Sequence, residues 1–138
     1  MTLAERCEAI EECYEFMLAY AAQGLSDDSG NSSGGQLRDL LRCAAEALSG
    51  LAACYLAAIQ EAGLEPLETY EAFLAVLERD AADSRAAMEL VLAQPSLSSQ
   101  LIDNLNASIH VRAVLTDLFL IDEILKARRL ATSPIAQA

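Results

Sequence analysis

Apolar residues in this chain recur at alternating steps of three and four. Leu3, Cys7, Ile10, Tyr14, Met17 and Ala21 follow that rhythm, and a second run holds its phase from Leu67 through Tyr70, Phe73, Leu74, Leu77, Ala81 and Met88 to Leu92. A helix turning 100° per residue gathers such positions on one face, whereas a strand would need strict alternation. The pattern therefore predicts amphipathic helices, each with one side to bury. With 54% apolar residues, only six Gly and three Pro, and few strand formers, the composition agrees.

Local signals divide the chain into four predicted helices. Thr2 and Glu5 form a capping box at the start of the first, and Gly24 can close it. The second is predicted from about Gln36 to Ala62, with Gly63 as its stop and Leu37, Leu40, Leu41, Ala44, Leu48, Leu51, Tyr55 and Ile59 as its stripe. Its back face carries small residues four apart: Ala45, Ser49, Ala53 and Ala57. The third follows Pro66, which suits a first helical turn. The fourth is expected from about Ser98 to Arg129, past Pro95, with a Ser cap and with Lys126, Arg128 and Arg129 complementing the dipole at its end. Residues 25–35, LSDDSGNSSGG, read as a flexible loop, and residues 132–138 as a frayed tail. The expected architecture is all-α: one domain over residues 1–131, a mostly antiparallel four-helix bundle with a long or bent fourth helix.

The fourth helix does not keep one face. Leu101, Ile102, Leu105 and Ile109 define a stripe that switches to the nearly opposite side near His110, where Val111, Val114, Leu115, Leu118, Ile121 and Leu125 take over. Either the helix bends at Asn106–Ser108, or its second half packs against something new. Leu115, Leu118, Ile121 and Leu125, with Ala53 and Ala57 of the small-residue face, are accordingly expected to form a homodimer interface.

Charge and motif content narrow the function. Twenty-one acidic residues against nine basic ones give a net charge of −12, which repels phosphate backbones and anionic membranes. Neither nucleic acid nor membrane is an expected partner. The longest uncharged run, Ala47 to Gln60, is short for a bilayer, and glutamates occupy the position a signal peptide would need, so a cytoplasmic protein is expected. Eight Arg against one Lys fits a GC-rich bacterial source.

Cys7, Cys13, Cys43 and Cys54 contain no close pair with zinc-ligand spacing and read as small buried residues. Glu5, Glu8, Glu11, Glu12 and Glu15 lie on an arc turned from the core stripe and read as a solvated face. Di-iron bundles bind metal with Glu-x-x-His, but the single His110 is preceded by Ala107 at that offset. Histidine phosphotransfer domains place Lys three residues after the reactive His and then Gly, a pattern the run HVRAVL lacks. No catalytic, metal or cofactor residue is therefore assigned. The expected function is a non-catalytic helical protein acting by self-association and protein–protein interaction, regulatory or adaptor in kind. The alternative is a metal- or small-ligand-binding helical enzyme that uses a carboxylate cluster.

Overall fold

The computed structural model describes residues 1–30 and 32–131, and over them the secondary structure is entirely helical. Six helices follow one another: α1 (Leu3–Ala22), α2 (Ser32–Leu48), α3 (Leu51–Glu61), α4 (Leu67–Leu92), α5 (Ser99–Ala107) and α6 (Ile109–Ala131). The expected tail at 132–138 lies outside the described residues.

The starts and stops written in the local sequence form as their chemistry dictates. The Thr2 hydroxyl accepts the Glu5 amide at 3.1 Å while the Glu5 carboxylate accepts the Thr2 amide at 3.1 Å, completing the capping box of α1. Ser98 caps α5 by accepting the Leu101 amide. Gly24 and Gly63 follow the ends of α1 and α3 with positive φ, the conformation that ends a helix and that glycine adopts without a Cβ clash. α4 is continuous, as expected from its unbroken stripe. Pro66 stands just before its first turn rather than inside it.

Two of the four expected helices are broken, which makes six. The Gln36–Ala62 segment begins four residues early, at Ser32, and bends by 49° at Ser49–Gly50, where Gly50 takes φ 82°. Arg6 of α1 holds this corner, donating to the carbonyls of Glu46, Ala47 and Ser49. Those carbonyls belong to the unsatisfied end of α2, so a side chain from another helix supplies their cap. The fourth expected helix is broken at Ser108, whose extended backbone (ψ 145°) separates α5 from α6. Of the two explanations for the stripe that changes sides, the bend is the one observed.

The core runs through all six helices. α1 contributes Ala9, Ile10, Cys13, Met17 and Tyr20 and packs on α2 and α5. α4 buries Leu74, Leu77, Ala81, Met88 and Val91 against α2, α3 and α6. All five glutamates of α1 are exposed.

The segment expected to be a free loop is tied down. Asp28 accepts the Leu97 amide at 2.9 Å and Arg38 Nε at 3.2 Å, and Arg38 reaches on to the carbonyls of Leu92 and Gln94. The Leu97 amide is the main reason the Asp28 carboxyl is held below its ordinary range. The Ser99 amide donates to the Leu25 carbonyl, and the Ser99 hydroxyl accepts the Leu25 amide while donating to the Tyr20 carbonyl. Gly34 is buried beside Asp28, and a Cβ there would collide with the aspartate. Turn-rich composition fits the backbone of residues 25–30, whereas residues 32–35 belong to α2, and the partners of the loop lie up to 74 residues away in sequence, where no local pattern announces them.

Candidate functional site

α6 has two apolar sides, and only one is covered. Val111, Val114, Leu115, Leu118, Ile121 and Leu125 face inward and are buried. At 100° per residue, Ile109, Phe119, Leu120, Ile124 and Leu130 fall on an arc of roughly 140° centred nearly opposite. Phe119, Leu120, Ile109 and Leu130 are 59%, 52%, 75% and 60% exposed. Scattered apolar residues are ordinary on a surface, but several large ones sharing one helix face mark a place where something binds.

The edge of this face opens into a cleft between α4 and α6. Tyr70 and Phe73 form one wall, Leu120, Ile121 and Ile124 the other, with Pro66 near the end, and the space measures about 380 Å³. Glu65 and Arg128 stand at its rim. Charge on α6 also differs from the rest of the chain. Arg112, Lys126, Arg128 and Arg129 are exposed, Asp117 is buried, Asp122 is half-buried, and Glu123 alone among the carboxylates of the helix is exposed. The exposed charges of α6 are thus four cations and one carboxylate, in a chain whose net charge is −12.

Asp122 belongs to a polar chain that crosses three helices. Tyr55 Oη, on a fully buried ring, donates to Asp122 Oδ1 at 2.6 Å and lies 3.2 Å from Cys7 Sγ. Burial, and after it the hydrogen bond to Asp122, raises the phenol far above its usual range. Burial likewise raises the Cys7 thiol, and it pushes Cys13 up to about 12. A nucleophilic cysteine needs the opposite shift, toward thiolate, so these two thiols are built for packing. The Tyr55–Asp122 bond joins α3 to α6 and needs no chemistry to explain it.

The residues singled out in the sequence are distributed as follows. Leu115, Leu118, Ile121 and Leu125 come together, but inside the chain's own core, 6%, 0%, 1% and 5% exposed. They are not available as an outward surface, because the break at Ser108 lets α6 fold its inner stripe onto α4. Ala53 and Ala57 are exposed on α3, and Ala53 borders a shallow cleft with Leu56, Glu71 and Ala75. The residues missed were Phe119, Leu120 and Ile124. Their signal was present in FLI at 119–121, since adjacent apolar residues on a helix must point to different sides.

His110 is exposed at the start of α6. Among the described residues no group of three or more His, Cys, Asp or Glu is placed to hold a metal ion. No single helix among them is long and apolar enough to cross a membrane, and α2 with α3 passes such a test only as a pair bent by 49°. Comparison of the chain with protein-family models, with curated proteins and with solved structures finds no match.

Proposed function

We propose that this chain is a non-catalytic interaction protein, regulatory or adaptor in role, that forms a homodimer through the outer face of α6. On this reading the helices act as four columns, α1, α2 with α3, α4, and α5 with α6, in a bundle that displays the last column outward. The observation that carries the proposal is the row of Ile109, Phe119, Leu120 and Leu130, each more than half exposed on one side of one helix.

Energetics favour that face. Burying a large apolar side chain fully is worth about 1.5 to 3 kcal/mol, so a half-exposed one stands to gain roughly half of that. Four or five of them, duplicated by symmetry, supply the apolar centre of an interface of ordinary size, about 800 Å² per partner. Electrostatics are compatible with it, since Glu123 is the one exposed carboxylate of α6 and two chains of charge −12 would bring few like charges together there. A second reading, a binding protein for a small apolar ligand, is supported by the α4–α6 cleft with Tyr70 and Phe73 on its wall.

Sedimentation of wild type and Leu120→Glu decides the proposal. Leu120 is half exposed, so the variant is expected to keep the wild-type helix content while the dimer separates into monomers. Wild-type protein that stays monomeric at high micromolar concentration would refute self-association.

A further inference from the structure

The buried side of α6 steps from Val111 to Val114, Leu118, Ile121 and Leu125 by alternating three and four residues, and that stripe is packed on the chain's own core. The outer side keeps the same rhythm without interruption. From Ile109 it steps to Ala113, Thr116 and Leu120, and from there to Glu123, Ala127 and Leu130. All of these are exposed except Ala113, which is half-buried. A repeat averaging 3.5 residues, held over three heptads, is the spacing with which one helix lies along another.

Small side chains at Ala113, Thr116 and Ala127 allow a second backbone to come close, while Ile109, Leu120 and Leu130 offer the apolar contacts. Two members of this seam are polar. Thr116 donates its hydroxyl to the Arg112 carbonyl at 2.9 Å, so its proton is used within the helix. Glu123 has no ion-pair partner among the described residues, and neither has Arg112, one turn before Thr116 on the same side. A carboxylate and a cation left open along one seam suit a partner that brings the opposite charge to each.

We propose that α6 pairs with α6 of a second copy in antiparallel orientation, about a two-fold axis at Leu120. This rests on the homodimer proposed above and adds its geometry. Reversed and laid on itself about Leu120, the seam matches layer for layer: Ile109 meets the partner's Leu130, Ala113 the partner's Ala127, Thr116 the partner's Glu123, and Leu120 its own copy. Glu123 then lies one turn from the partner's Arg112, and Lys126 follows three residues on in its own helix, so each carboxylate stands between cations. Phe119, exposed beside Leu120, closes against its copy near the axis. A parallel pair sets each seam residue level with itself, and Glu123 would face Glu123. Like charges so placed oppose that alternative.

Cross-linking of the double variant Ile109→Cys/Leu130→Cys tests the arrangement. Both side chains are exposed, so the fold is kept, and the positions are 21 residues apart on one helix, about 32 Å, too far for a disulfide within one chain. Under mild oxidation the double variant is expected to give covalent dimers whose peptide masses join position 109 of one copy to position 130 of the other. Leu130→Cys alone is expected to give no link through that position, and wild-type protein supplies the background from Cys7, Cys43 and Cys54. A link between two copies of position 130, or a sedimenting dimer in which positions 109 and 130 never join, overturns the antiparallel seam and leaves the homodimer standing. Wild-type protein that sediments as a monomer overturns both.

Discussion

Replacing Asp28 by Ala removes one side chain from a segment that looks, by composition, free to move. The structure predicts a substantial loss. Its Oδ1 is the acceptor for the half-buried Leu97 amide and its Oδ2 for Arg38 Nε, and both side chains of the ion pair are largely covered, at 13% and 18% exposure. A hydrogen bond to a charged group contributes about 1.5 to 3 kcal/mol, and an amide left without an acceptor costs about 1 to 3 kcal/mol. Arg38 keeps the carbonyls of Leu92 and Gln94, which limits the damage on its side. We expect Asp28→Ala to destabilise by about 2 to 4 kcal/mol and Asp28→Asn, which retains an oxygen for Leu97, by roughly half as much. Urea denaturation at neutral pH measures both, provided the slope with denaturant is unchanged. The pH dependence supplies a sign. Because the folded carboxyl is held below its ordinary range, its contribution is present above the ordinary value and lost as pH falls through the lowered one, so the gap between wild type and Asp28→Ala should close on acidification. A gap under about 0.5 kcal/mol at neutral pH, the range of an ordinary surface change, or one that widens in acid, refutes the reasoning.

Other substitutions probe the two sides of α6. Tyr55→Phe should cost about 1.5 to 3 kcal/mol, and a double-mutant cycle with Asp122→Asn in chemical denaturation should return most of that as coupling between the pair. Leu118→Ala, at a position with no exposure, should cost about 2 to 5 kcal/mol in thermal or urea unfolding, with no dependence on protein concentration in a monomeric Leu120→Glu background.

The parts of the fold that were legible in the sequence are those governed by neighbours a few residues away. Thr2 and Glu5, Ser98, Gly24 and Gly63 act within a single turn, and the Leu67–Leu92 stripe declares its helix by period alone. The breaks were harder because their causes are remote or subtle. Gly50 sits in an uncharged run of good helix formers, and what fixes its bend is Arg6, more than forty residues earlier. At Ser108 the sequence did show a stripe changing sides, which is the trace a bend leaves, but the same trace is left by a helix shared between two partners. The candidate surface was obscured for a related reason. Leu118 and Leu120 are alike in chemistry and differ only in the side to which they turn, and that was fixed once the break set the rotation of α6.

The corner between α2 and α3 has a wider meaning for α1. Arg6 grips the last carbonyls of α2, and the next residue, Cys7, touches the Tyr55 hydroxyl of α3, which in turn reaches Asp122 of α6. One turn of α1 thus registers the direction of two helices and the position of a third. Sliding α1 by a single turn would uncap the corner and vacate the place beside Tyr55 in the same movement. The first helix therefore works as an alignment pin, rejecting misregistered packings that its apolar stripe alone, repeating every turn, would tolerate.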